Sequence, residues 1–333
     1  MSVPRVTSVE PPRAIEGGRV TILGSGFPIH GPRLPEVRIG TEPARVVFAS
    51  PHRIVALVPP VIAENGPVAV SVAGADGDAW LAIATRFATG LHQVDNPVFD
   101  RDGNLYVTYS GTRGLQVPVS IFRVRPNGTR EAFASGIVNP TSLAIDPQGR
   151  LYVSSRFEGI VYQLAENGDA KPFATDLGVA CGLAFAPDGT LYVGDRTGTI
   201  FRVDSRGHTS TLASLPASVA AFHLVLGPDA ALYVTGPTLC PYDAVYRVAL
   251  DGTVTIRTQA FGRPQGLAFD AEGTLFVAEA LAGSSGLYRL PHAGEPELVL
   301  AGPGLVGLAF DRQGALVVCS NDHAYRLEAR AGR

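Results

Sequence analysis

One pattern recurs six times between Val98 and Val318, and it restricts the chain to very few architectures. An apolar strand runs into a polar turn, and a second apolar strand leaves it. The first copy is Val98-Phe99-Asp100-Arg101-Asp102-Gly103-Asn104-Leu105-Tyr106-Val107. The turn glycine recurs at Gly149, Gly189, Gly273 and Gly314, and Ala230 takes its place in the fourth copy. Successive turns at 103, 149, 189, 230, 273 and 314 are therefore 46, 40, 41, 43 and 41 residues apart. A period of about 40–45 residues, with a further hairpin in most copies, describes a β-propeller of four-stranded blades. The sixth copy ends after a third strand, Ala324–Leu327. Its fourth strand is expected at Thr85–Leu91, which matches Glu131–Ile137 of the first copy. That strand would close the ring and remove two exposed sheet edges.

The residues ahead of the repeat read differently. From Pro4 to about Gly77, short strands alternate with turn residues, as in Val20-Thr21-Ile22 and Val68–Val72, and such spacing predicts a β-sandwich. The expected fold class is all-β, with an immunoglobulin-like sandwich over residues 1–80 and a six-bladed propeller over 84–333. The segments Val6–Pro11, Gly17–Phe27, Val37–Gly40 and Val58-Pro59-Pro60 resemble the IPT/TIG family of immunoglobulin-like domains. That resemblance implies a spacer or contact module without chemistry.

A net charge of −3 gives no basic surface to hold nucleic acid by bulk electrostatics. No segment approaches the roughly 20 apolar residues of a membrane-spanning helix. The first residues lack the apolar core of a secretion signal, so the expected location is the cytoplasm, or the exterior if a leader has been removed. Cys181, Cys240 and Cys319 are too few and too scattered for a disulfide framework or a zinc knuckle. No Gly-x-Ser-x-Gly elbow, P-loop or His-Glu-x-x-His sequence is present.

The site, if there is one, should lie where the inner strands open at one end of the channel. Counting five residues back from Asp100 and its equivalents gives a ring of Asp95, Thr141, Cys181, Phe222, Gln265 and Val306. The next ring holds Asn96, Ser142, Gly182, His223, Gly266 and Gly307. Nine residues beyond Asp100 and its equivalents lie Tyr109, Ser155, Asp195, Gly236, Glu279 and Ser320, followed by Arg156, Arg196 and Asn321. His223 replaces a residue that is glycine in three other blades; it reads either as a ligand or general base or as a hydrogen-bonded strand residue. Arg156 and Asp195-Arg196 read as an inter-blade ion pair or as an anion site. Glu279 reads as an acid, a cation ligand or a solvated loop carboxylate. Three long connections, Gly111–Ser120, Thr235–Tyr242 and Ala280–Gly286, are expected on the same face as binding loops.

From Thr85 to Leu327 the repeats resemble NHL-type propellers and the broader group of gluconolactonases and senescence-marker-like lactonases. The resemblance implies a divalent cation, Ca or Zn, held in the channel by a carboxylate from the first blade and by an Asn and an Asp from later blades. Asp95-Asn96-Pro97-Val98-Phe99-Asp100 matches the first-blade motif, with Asp95 as the metal ligand. At the later positions stand Cys181, Phe222, Gln265 and Val306, of which only Gln265 carries a suitable oxygen. Two functions follow. The first is a binding protein that takes a small molecule or protein partner at the propeller mouth through Asn96, Tyr109, Arg156, Asp195, Arg196 and Gln265. The second is a lactone or ester hydrolase with His223 and Glu279 as catalytic groups. A pure scaffold is the third alternative.

Overall fold

A computed structural model describes residues 3–29, 34–60, 66–281 and 283–327. Every regular element among them is a β-strand, and no helix is long and apolar enough to cross a membrane. Two compact units are present: Met1–Thr85 with Ala282–Arg289 and Glu297–Gly304, and Arg86–Leu281 with Leu290–Pro296 and Leu305–Arg333.

The first unit is built around the sandwich. Arg5–Glu10, Arg19–Ser25, Arg53–Leu57 and Glu42–Ala49 pair in that order, and Val37–Ile39, Gly66–Val72 and Ala79–Ile83 continue the sheet. Alternate residues face inward, so Val20, Ile22, Ile39, Ile54, Val70 and Leu81 form a core closed to solvent. Phe27 joins that core over Gly24, where a Cβ would stand 2.4 Å from the Phe27 ring and 2.2 Å from the Arg5 carbonyl. The same unit includes most of Gly286–Leu290 and all of Glu297–Ala301, the outer strands of the fifth repeat. Arg13–Ala14 pairs in parallel with Glu297–Ala301 at Ala14 and Ala301.

The repeats form six four-stranded blades among the described residues. Five are separate sheets, and the fifth repeat runs in the same order from Pro264–Phe269 through Leu275–Glu279 and Gly286–Leu290 to Glu297–Ala301. The last blade orders Leu305–Phe310, Leu316–Ser320 and His323–Leu327, then Thr85–Thr89 as its outer strand. Backbone bonds from Leu91 N to Asp322 O and from Gln93 N to Asn321 O extend this closure.

The repeated turn has a local cause. Asp100 Oδ1 accepts the backbone N–H groups of Asp102 and Asn104 at 2.9 Å each. Asp146, Asp270 and Asp311 do the same in their own blades. Such a side chain mimics a backbone turn, and the residue three positions on adopts positive φ. Glycine meets that need in five blades, whereas Ala230 adopts φ 56° with its Cβ in place.

The inner strands explain the residue rings. The pairing of inner with second strand shifts register between Pro140 and Leu143, Ala180 and Leu183, Pro264 and Leu267, and Leu305 and Gly307. A bulge re-aims the side chains within it, and these bulges span the ring positions Thr141, Cys181, Gln265 and Val306. The fourth blade has no such shift, and His223 pairs directly with Thr235.

Candidate functional site: a filled channel beneath a basic mouth

The segment from Gln93 to Asn96 runs into the channel and is bonded to four blades. Gln93 Oε1 accepts Thr108 N of blade one at 2.7 Å, while its Nε2 donates to Asp95 O. Asn96 Nδ2 donates to Leu267 O of blade five at 2.7 Å, and its Oδ1 accepts Leu308 N of blade six at 2.9 Å. Asp95 Oδ1 lies 2.6 Å from His223 Nδ1 of blade four. Blades one and four are opposite in a ring of six, so this pair spans the channel. The two side chains are 2% and 0% exposed.

The ring glycines exist to admit this segment. A Cβ at Gly266 would stand 2.2 Å from Asn96 Oδ1, and one at Gly307 2.4 Å from Asp95 O. Phe222 fills the neighbouring space, with its ring 3.2 Å from the place of a Gly236 Cβ. Cys181 is buried beside it, and desolvation pushes its thiol up to about 11, with the Asp95 charge adding to the effect. His223 Nδ1 is engaged by Asp95, whereas Nε2 is buried and finds no hydrogen-bond partner in the protein.

Several candidate residues hold the backbone of their own blades. Glu279 is buried, not a solvated loop carboxylate, and accepts the N–H groups of Gly262, Arg263 and Leu281. Asp195 is likewise buried; it accepts Val179 N, Thr197 N and the Thr197 hydroxyl. It forms no ion pair with Arg156. Gln265 is buried, its carbonyl accepts the Thr235 hydroxyl at 2.6 Å, and its amide makes only a 3.5 Å contact with Arg263 O. Tyr109 packs edge-on against His92 and Phe122. Asn96 is a strut between blades.

The donors do not fit the cation that the lactonase resemblance implies. Among the described residues no three His, Cys, Asp or Glu side chains converge to hold a metal. Asp95 has one oxygen committed to His223, and hard cations require several convergent oxygens.

Above this floor the second strands end in loops, and those of the first three blades carry Arg113, Arg156 and Arg196. Asn139, in the left-handed conformation at φ 49°, organises the first of them. Its Nδ2 donates to Ser110 O and Thr112 O, its Oδ1 accepts Gly114 N, and its carbonyl accepts Arg156 N. The loops that carry Arg113 and Arg156 are thereby tied together at the backbone, and Arg196 follows one blade on. Burial lowers the Arg156 pKa, Cys181 opposes it, and the charges of Arg196 and Arg113, each a smaller effect than that of Cys181, lower it further. The His92 pKa is lowered by burial and by Arg156, with Asp322 opposing. The loop positions are legible in the repeat pattern. Arg113 and His92 have no counterpart in the other copies to single them out, although both lie in or beside segments that the pattern marks.

Comparison with known proteins agrees with this architecture. Residues 4–88 match the model of the IPT/TIG domain. The N-terminal module is an IPT/TIG domain. No curated protein matches the chain in sequence. Among solved structures, this IPT/TIG–propeller chain is similar to an auxiliary nutrient binding protein from Bacteroides thetaiotaomicron, at 14% identity and TM-score 0.58 over 98% of both chains. A gluconolactonase from Xanthomonas campestris aligns at 16% identity and TM-score 0.60, covering 90% of this chain and 98% of that one. Virginiamycin B lyase from Staphylococcus aureus aligns at 12% identity and TM-score 0.55, covering 97% and 94%. At these identities the likeness is one of fold.

Proposed function

We propose that this is a binding protein whose propeller mouth holds a small-molecule ligand. The observation that carries the proposal is the sealed channel: Asp95 and His223 are closed to solvent, so an arriving ligand meets only the loops above them. Those loops expose apolar side chains around the basic centre, namely Leu115, Phe157, Val219, Leu239, Tyr242 and Leu281. Apolar walls around a few polar groups are the usual make-up of a ligand site. The similarity to a nutrient-binding propeller supports the same reading.

The metal-assisted lactonase alternative has a buried acid–imidazole pair in its favour and lacks the oxygen donors its cation needs. Two measurements separate the readings. A thermal-shift and calorimetric panel of small molecules should yield a ligand whose affinity falls in a Leu239→Ser/Tyr242→Ala variant. A lactone and ester panel with and without added Ca or Zn should show no turnover. Hydrolysis abolished by His223→Ala would overturn the binding assignment.

A further inference from the structure

Part-buried arginines elsewhere among the described residues, and several exposed ones, are engaged. Arg123 and Arg125 pair with Glu131, Arg150 with Asp146, Arg247 with Asp229 and Arg289 with Glu297. Arg101, Arg130, Arg202 and Arg257 donate to backbone carbonyls. A cavity of about 700 Å³ at the opposite end of the first two blades is lined by Arg101, Arg123, Arg125 and Arg150, each of which is already engaged in this way. Arg156 and Arg196 differ, being part-buried without a partner, and the exposed Arg113 adds its charge to theirs. Among the described residues, none of their guanidinium groups forms an ion pair or hydrogen bond.

This arrangement is unfavourable for stability. Arg156 and Arg196 are only part-exposed, a desolvated cation is costly, and like charges within one funnel repel. The nearby carboxylates do not relieve it. Asp195 is turned to Val179 and Thr197, and Glu279 to Gly262, Arg263 and Leu281. The Asn139 side chain fixes the backbone on both sides of Arg113, and the Asn139 carbonyl accepts Arg156 N, so the loops that carry the two arginines are tied together. Guanidinium groups brought together without partners present a fork geometry that matches carboxylate and phosphate oxygens.

We infer that the mouth is an oxyanion site in which Arg113, Arg156 and Arg196 bind the carboxylate or phosphate group of a small molecule. This rests on the binding reading above and adds the chemical class of the ligand. The apolar rim would take the remainder of that ligand.

The test titrates inorganic phosphate and citrate into the full chain at low ionic strength, following thermal midpoint and heat, with sodium chloride at matched ionic strength and glucose as controls. Phosphate or citrate should raise the midpoint, and chloride and glucose should not. Arg156→Gln/Arg196→Gln should weaken that binding at least ~10-fold, because charge-assisted pairs with two guanidinium groups are removed. Arg125→Gln, at a paired arginine, should bind as the wild type does. Without ligand, Arg156→Gln should melt at or above the wild-type temperature, since it relieves an unpaired, desolvated charge; a structural arginine would melt lower. Equal anion binding by the double variant, or a lower unliganded midpoint for Arg156→Gln, overturns the assignment. If neutral compounds bind and no anion does, the oxyanion inference falls and the binding mouth stands. If nothing binds in either panel, both fall.

Discussion

The sharpest energetic test concerns the pair that crosses the channel. Removing the Asp95 side chain in Asp95→Ala leaves a fully buried imidazole with both ring nitrogens unpartnered, because Nε2 already lacks a partner. Removing the imidazole in His223→Ala leaves a carboxyl group 2% exposed without its 2.6 Å contact. An orphaned buried polar group costs about 1–3 kcal/mol and a hydrogen bond to a charged group contributes about 1.5–3 kcal/mol, so each single variant should lose about 2–4 kcal/mol. In Asp95→Ala/His223→Ala no orphan from this pair remains, so the double variant should lose at least about 1.5 kcal/mol less than the sum of the singles. Near-UV circular dichroism during urea unfolding is the suitable assay. The tyrosines Tyr106, Tyr152 and Tyr233 report on the blades, whereas the single tryptophan, Trp80, lies in the sandwich. Additivity within about 0.5 kcal/mol would refute the claim that the two side chains act as one unit.

Other outcomes follow from single features. Ala230→Gly should stabilise the propeller: relief of a left-handed Cβ is worth about 1–2 kcal/mol, and the entropy of the new glycine takes back about 0.5–1, leaving a net gain near 0.5–1 kcal/mol. A lower midpoint in Ala230→Gly would contradict it. A thiol reagent should label one cysteine of the native protein, the exposed Cys240, and all three in denaturant, because Cys181 and Cys319 are buried and their pKa values are raised by desolvation. Labelling of Cys319 without unfolding would show the blade-six core to be open. His92 has a folded pKa below its ordinary 6.5, so the unfolded chain takes up the proton first. Its contribution to stability is complete above about pH 6.5 and is lost as pH falls through the folded value. His92→Gln should flatten that part of the pH–midpoint curve, and an unchanged slope would exclude His92 as a cause.

The parts of this protein that are legible in sequence are those set by local chemistry. The Asp100, Asp146, Asp270 and Asp311 turns each require an acceptor at the first position and a positive-φ residue three places on, and both requirements are written within five residues. Strand alternation and the unpaired third strand of the last repeat reveal the closure at Thr85–Thr89 for the same reason. The rings also place Asp95 and His223 one level apart in the channel. That they touch is a different matter, because the contact joins residues 128 apart and exists only once the ring has closed. Glu279 and Asp195 illustrate a second limit. A carboxylate that caps its own loop and one that faces a ligand have the same repeat position, and only the direction of the neighbouring N–H groups distinguishes them. The left-handed Asn139, which ties together the loops that carry Arg113 and Arg156, leaves no periodic signal at all.

The Gln93–Asn96 segment also bears on the order in which the chain can finish folding. The two backbone partners of the Asn96 side chain are made 171 and 212 residues later. During synthesis the Asn96 side chain therefore waits in water while the first four blades emerge and pair within themselves. Bringing such distant positions together carries a large loop-closure cost. The ring should then be completed in one late step, when blades five and six arrive to receive Asn96 and Thr85–Thr89 finds its sheet. Until that step the channel lacks the struts from Asn96 to blades five and six, and the rim above it lacks Leu281.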